Sequence, residues 1–309
     1  MSVIGVPLSV LDLVPVGEGE GPQAALTHTT ELARCADRWG YHRYWVAKYR
    51  SAASVASPSP AVLLAHLGGV TSRIRLGSGG VMLTNHAPML VAEQFGLLEL
   101  LHPGRIDLGI GQAPDAVPAV VHALRREENP GPEEYPNRVT ELLGFLDRGF
   151  PDDHPYTVNQ VKATSHSGSV PVWVLGSSSG AEVAARFGLP FAASYQGEST
   201  ILALRKYRAE FQPSGTLTAP HTVVAVNVVC ADTDDEALRL ALTGSLTLFW
   251  LGTEKEGRPS LHRKAQRGTS IRRASEISST RICEPSSTGL LRGFATAWPN
   301  YVIRREPTI

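Results

Sequence analysis

The sequence predicts an α/β protein built as an eight-stranded barrel of parallel strands joined by helical crossovers. Three observations carry that expectation. Short runs of β-branched or small apolar residues alternate with longer segments of helical period, the pattern of a parallel sheet with helices on its faces. Seven such runs fall within about 230 residues, a spacing that suits a β/α barrel better than an open sheet. No GxGxxG follows the first run, which counts against a dinucleotide-binding fold, although an open doubly wound sheet stays as the alternative.

The strand-like runs, in order, are Ile4–Leu11, Arg43–Ala47, Ile74–Leu83, Ile106–Gly111, Val170–Leu175, Pro190–Ser194 and Thr222–Ala231. Between them, residues 24–40 place Leu26, Leu32, Ala33, Ala36 and Trp39 roughly on one helical face. Residues 88–101 open on Pro88, which suits a first helical turn, and carry Leu90, Val91, Phe95, Leu98 and Leu101 as a stripe. Residues 181–187 and 234–244 fit short helices, the second with Asp residues where the N-terminal dipole favours them. Residues 127–137, EENPGPEEYPN, read as an exposed loop, and 151–169 as a polar insertion before the fifth run. Long loops in a barrel usually belong to its functional face.

The chain has 309 residues and a formal net charge of zero, so no overall basic field points to nucleic acid. Residues 251–309 carry eleven Lys/Arg against five Glu, and the first 250 carry eighteen against twenty-four Asp/Glu. The domain reading is therefore a barrel over 1–258 and a divergent basic tail over 259–309 that does not supply a well-formed last β/α unit. Cys35, Cys230 and Cys283 are scattered and form no metal spacing, as reduced thiols of a cytoplasmic protein would be. The N-terminus lacks the basic region of a signal peptide, and no apolar stretch reaches membrane-spanning length.

Four stretches carry candidate chemistry. In VWVLGSSSGAEVAARFG, a strand runs into Gly176, then Ser177, Ser178 and Ser179, then a helix. Backbone N–H groups at a helix N-terminus and small hydroxyls form a phosphate cradle, or simply an N-capped turn. In RLGSGGVMLTNHAP, Gly77, Gly79 and Gly80 interrupt a strand, which leaves room for a flat ring or for tight packing. His86 lies in the loop that follows, as a structural hydrogen bonder or a catalytic group. Gly109, Gly111 and Gln112 close the fourth run on the same face. In RYWVAKYRS, Lys48, Tyr49 and Arg50 follow the second run, where barrels keep their chemistry. His42 and His102 precede strands, on the face that serves stability, and Glu93 reads as a buried carboxylate satisfied by backbone donors.

Taken together, LSVLDL (8–13), GYHRYWVA (40–47), residues 72–111 and PVWVLGSSSGAEVAARFGLPFA (171–192) resemble the bacterial luciferase-like flavin monooxygenases over about residues 3–258. The resemblance implies a TIM (β/α)8 barrel and reduced FMN supplied by a separate flavin reductase. It also implies O2 and a small organic substrate, such as those of secondary metabolism. It lays the flavin ring over Gly79–Gly80, often with a non-prolyl cis peptide, and puts the phosphate at Gly176–Ser179 beside Gln112. It leaves Tyr49 and His86 as catalytic candidates, and Lys48 and Arg50 as binders of substrate or an anion. A homodimer or heterodimer is expected, with no metal, nucleic acid or membrane partner.

The departures from the family are local. Relatives commonly read Glu-His-His where this chain has Lys48-Tyr49-Arg50, and many place an Arg where it has neutral Gln112. Those changes keep a second reading open: a flavin-binding homologue or partner subunit that retains the scaffold without the turnover.

Overall fold

The fold is described from a computed structural model over residues 2–3, 6–17, 19–48, 54–112, 123, 134–150, 152–158 and 170–242. Contacts divide the chain into a first unit, Met1–Val16 with Glu20–Ala225, and a second, Gly17–Gly19 with Val226–Ile309. The expected basic tail, 259–309, lies outside the described residues. Of the second unit, residues 226–232 hold no regular structure and 234–242 are helical.

The first unit opens with a two-stranded antiparallel ribbon, β1 (Ser2–Val3) and β2 (Val6–Pro7). The main sheet then takes β3 (Ser9–Asp12), β4 (Arg43–Val46), β5 (Arg75–Ser78), β6 (Val81–Met82), β7 (Ile106–Gly111), β8 (Val172–Leu175), β9 (Phe191–Ser194) and β10 (Thr222–Ala225). The helices are α1 (Pro22–Arg38), α2 (Pro60–Val70), α3 (Pro88–Leu101), α4 (Tyr135–Leu143), the single turn α5 (Pro155–Val158), α6 (Ser178–Phe187) and α7 (Glu198–Glu210). Along the sheet the order is β10-β9-β8-β7-β5-β4-β3, with β6 continuing β5 against β7, and all these pairs are parallel. A doubly wound sheet reverses its strand order at a switch point. Here sequence order equals spatial order throughout, which is barrel topology, with seven of eight strand positions described.

Two predicted runs are divided and a third ends well early. Ile4–Leu11 divides between β2 and β3, Ile74–Leu83 breaks between β5 and β6, and Thr222–Ala231 ends at Ala225. Besides the single turn α5, three helices escaped the reading. Nearly every residue of α2, PAVLLAHLGGV, is apolar or glycine, so no amphipathic period marks it. In α7 only Thr200, Ala203 and Tyr207 are buried, a narrow stripe. The start of α4 lies inside the segment expected as an exposed loop, yet Tyr135 is fully buried.

Two apolar layers result. The larger packs the outward residues of the strands, such as Leu76, Leu108, Val174 and Phe191, against the helices. The smaller lies inside the barrel, where Trp45 and Trp173 meet edge to face at 5.4 Å with Ala192, Leu175 and Val223 around them. A Cβ on Gly77 would stand 2.6 Å from Trp45 Nε1, so the bare backbone there makes space for the indole.

At the N-terminal end of the barrel, fully buried Asp107 takes Arg43 Nε (3.0 Å) and Trp45 Nε1 (3.2 Å) on one oxygen and Arg75 Nη2 (2.7 Å) on the other. Arg43 also stacks on Trp173, 4.9 Å from the ring centroid. His42 and His102 lie at this end, in structural roles. The His42 N–H donates to Leu8 O, and the His102 ring fills the space over Gly68. In α3, Glu93 is half-buried rather than buried, and the Glu99 carboxylate takes the Gly104 N–H at 2.5 Å.

Candidate functional site

The C-terminal mouth of the barrel is shaped by the break between β5 and β6. Pairing runs Gly77↔Asp107 and resumes at Val81↔Ile110, so four steps on one strand face three on the other. The extra residue is a bulge. It contains Ser78, Gly79 and Gly80, and the Gly79–Gly80 peptide is cis, as the family resemblance implied. The Ser78 hydroxyl fills the missing rungs, donating to Gly109 O (2.9 Å) and accepting from Gly109 N–H (3.1 Å). A Cβ on Gly109 would lie 2.0 Å from Ser78 O, and one on Gly80 would lie 2.8 Å from Gly109 O. The glycines are therefore required by close backbone approach.

Above the two tryptophans, this step forms a floor with Leu11 and Leu175. A Cβ on Gly79 would meet Leu11 Cδ1 at 2.6 Å, and Leu11 is itself 40% exposed. A half-open apolar surface of small relief at the mouth of a barrel suits a planar ligand.

Beside the floor, β8 ends at Leu175 and the chain turns through Gly176 into α6. Ser177 is the N-cap residue, yet no side chain caps the first turn of α6. Gly176, Ser177, Ser178 and Ser179 are all exposed. The open backbone N–H groups, the hydroxyls and the positive end of the helix dipole converge there. Gln112, leaving β7, donates its Nε2 to Ser179 Oγ, so the two candidate phosphate groups do meet. That cradle takes no formal charge from either.

The remaining candidates come from β4 and the loop after β6. Lys48 Nζ hydrogen-bonds His86 Nε2. The His86 N–H donates to Leu83 O (3.3 Å) and its carbonyl accepts from Arg138 Nη1 of α4 (3.4 Å). The structure thus joins two residues that the sequence offered separately. Tyr49 and Arg50 lie outside the described residues. Among the described residues, no cluster of three or more His, Cys, Asp or Glu could hold a metal ion, and no helix is long and apolar enough to cross a membrane.

Charge below the floor is held tightly. Burial, opposed by Asp107, lowers the Arg43 guanidinium from its usual range, and partial loss of solvent with the nearby Arg43 charge lowers the exposed His42 and His221. At β3, Asp12 accepts from Thr29 and Tyr44 hydroxyls, each at 2.6 Å, and burial together with that carboxylate pushes the Tyr44 phenol far up.

The profile of the luciferase-like monooxygenases matches residues 6–286. The chain belongs to that family. A luciferase-like monooxygenase of Escherichia coli strain K12 is 40% identical over 235 residues, 75% of this chain and 69% of the relative. The N-acetyl-S-alkylcysteine monooxygenase of Bacillus subtilis is 38% identical over 236 residues, 75% of this chain and 70% of its own length. Among solved structures, apo-MsnO8 superposes with a TM-score of 0.72 at 38% identity, covering 81% of this chain and 73% of that one. The fold is accordingly the luciferase-like TIM barrel.

Within this luciferase-like site, sequence reasoning missed Ser78, Trp173 and Arg138. The hydroxyl in GSGG was the one available sign of Ser78, since a strand broken by glycines needs something to fill its ladder.

Proposed function

We propose that this luciferase-like protein is a monooxygenase that binds reduced FMN and oxygenates a small organic substrate with O2. The carrying observation is the side-chain-free step at Gly79–Gly80 beside the uncapped serine turn of α6. Together they fit a flat ring attached to a phosphate. When bound, reduced flavin supplies the two electrons that place one atom of O2 in the substrate and release the other as water.

The chain's own residues do the rest. Gly79 and Gly80 admit the ring close to the backbone. Ser177–Ser179 and Gln112 hold the phosphate, and the Trp45–Trp173 pair closes the barrel beneath and keeps water out. Among the described residues, Trp173 Nε1 is a buried donor with no hydrogen-bond partner. Exposed Val62 on α2 and Leu90, Leu97 and Leu101 on α3 support assembly as a dimer. The flavin arrives from a separate reductase, in the cytoplasm. The Bacillus subtilis relative named for N-acetyl-S-alkylcysteine makes anionic thioethers a sensible first substrate panel, with long-chain aldehydes and aromatics beside them.

The test mixes purified protein with FMNH2, labelled O2 and that panel. Label in one product, with flavin bound, supports the reading. Flavin bound without label anywhere supports the non-catalytic homologue instead, and absence of flavin binding overturns both.

A further inference from the structure

We infer that the N-terminal end of the barrel is a binding site for one small oxyanion, of the sulfate, phosphate or carboxylate kind, held by the Nη groups of Arg43 and the ring of His221. The site lies at the end away from the mouth and does not depend on the flavin reading.

Trp173 gathers these groups. The Arg43 guanidinium carbon lies over its ring, 4.9 Å from the centroid, and the His221 ring meets it edge to face at 5.2 Å. Arg43 and His221 thus stand against one indole, the first from β4 and the second from the residue before β10. Ser9 pairs with Arg43 in register across the β3–β4 ladder, which sets its exposed side chain on the same face, one strand spacing of about 4.8 Å away.

The groups offer donors and want acceptors. Arg43 gives its Nε–H to Asp107, and its Nη groups have no acceptor among the described residues. The His221 backbone is bonded on both sides, its N–H to the Tyr207 hydroxyl and its carbonyl to Phe191 N–H. Its ring nitrogens have no hydrogen-bond partner among the described residues. Trp173 itself is 2% exposed and carries the orphan Nε1–H. A ligand made of acceptors matches such a set.

Charge points the same way. Arg43 and Arg75 share Asp107, which leaves one positive charge over in a cluster whose carboxylate is fully buried and whose guanidinium side chains are 13% and 23% exposed. Arg75 turns its remaining donors to the carbonyls of Gly104 and Ile106. Arg43 has no such second acceptor among the described residues. Among them, Asp107 is also the one carboxylate whose charge acts on Arg43 or His221. A partly desolvated charge without a counter-charge is costly, and an oxyanion on the Nη fork removes that cost.

An anion here also draws a proton to His221. Partial loss of solvent and the Arg43 charge hold that ring below the ordinary imidazole range, against a pull from Asp107, and the neighbouring His42 ring senses it in turn. A bound anion offsets the Arg43 charge and favours the imidazolium. Binding therefore takes up a proton and strengthens on acidification.

The experiment titrates sulfate, which keeps its charge near neutral pH, into 15N-labelled protein at an ionic strength held constant with NaCl. The His221 ring and the Arg43 Nε–H report. A saturating shift is expected, with affinity rising from about pH 7.5 to about pH 5.5 by up to tenfold per unit, the limit for one proton. Acetate in place of sulfate separates the sources: saturation by acetate at lower concentration makes the ligand a carboxylate, and the reverse makes it a tetrahedral dianion. Arg43→Gln should abolish saturation at His221. Should that variant fail to fold, Arg43→Lys, which keeps the charge and loses the fork, should weaken binding about tenfold. His221→Gln, at an exposed position, should keep a saturating Arg43 signal and lose its pH dependence. Shifts that grow in proportion to salt and match those of chloride overturn the site. Saturation that neither Arg43 variant alters overturns it as well, and an equal pH dependence without His221 overturns the part given to the imidazole.

Discussion

The Ser78 hydroxyl closes the sheet against Gly109 where the backbone does not, donating to its carbonyl at 2.9 Å and accepting from its N–H at 3.1 Å. Both residues are buried, and the bulge between β5 and β6 leaves no other strand rung at that point. Ser78→Ala strands two buried backbone groups. The expected cost is about 1–3 kcal/mol of stability, read as a lower urea midpoint with unchanged slope. Flavin affinity should fall with it, because the same bulge shapes the glycine step. An unchanged midpoint would mean that water replaces the hydroxyl without loss.

Asp107 predicts the opposite division of effects. It is fully buried between Arg43 and Arg75, at the end of the barrel away from the mouth. Replacing it with Asn leaves two guanidinium groups facing one neutral amide. Removing one partner of a buried ionic group typically costs about 3–5 kcal/mol. Asp107→Asn should therefore unfold at much lower urea, yet bind FMN as tightly as the unaltered chain while folded. A large affinity loss in protein shown to be folded would place this cluster in the binding machinery.

Gln112 predicts a gain. Its amide already reaches Ser179, so an arginine at 112 extends from the same strand end toward the same turn. A charge-assisted bond is worth about 1.5–3 kcal/mol. Gln112→Arg should tighten FMN about tenfold or more and leave riboflavin, which lacks the phosphate, unaffected. Equal effects on both ligands, or none, would remove the phosphate from Ser177–Ser179.

The barrel was legible because its central strands, such as β4, β5, β7 and β8, are largely buried on both faces and its crossovers are long, which leaves clear apolar runs. The glycine step and the serine turn were legible for a related reason. Bare backbone and small hydroxyls are rare inside β/α units and mark close approach. What the residues concealed were contacts across the fold. Nothing in RYWVAK or in LTNHAP alone says that Lys48 finds His86, 38 positions away. Likewise α2 carries apolar residues all round, so its period was invisible, and Tyr135 hid in a run of Pro and Glu. The end of β10 was misjudged because a Val-rich run continues past Ser194, where its partner β9 stops, and Ile4–Leu11 was misjudged because β2 pairs with β1 while β3 pairs with β4.

The last prediction concerns acid. His42 and His221 both flank the N-terminal end of the barrel. Both residues are exposed, and in each partial loss of solvent first and the Arg43 charge second lower the folded value below the ordinary imidazole range, against a smaller opposing pull from Asp107. A histidine depressed in the folded state binds fewer protons there than in the unfolded chain. Stability then rises with pH between the folded value and the unfolded one near about 6.5. Acidification through that window weakens the fold, by a small amount because solvent screens both exposed rings. Asp37 acts elsewhere on the scale: burial would raise it, but the N–H groups of Ser72, Ile74 and Arg73 outweigh that and hold it low. Its contribution is lost only below the ordinary carboxylate range, so it does not blur the histidine window. The urea midpoint should fall on going from about pH 7.5 to about pH 5.5. The double substitution His42→Asn with His221→Asn should show a visibly shallower fall. Parallel slopes in the two proteins would assign the acid sensitivity to other groups and leave the Arg43–Asp107 cluster without a part in it.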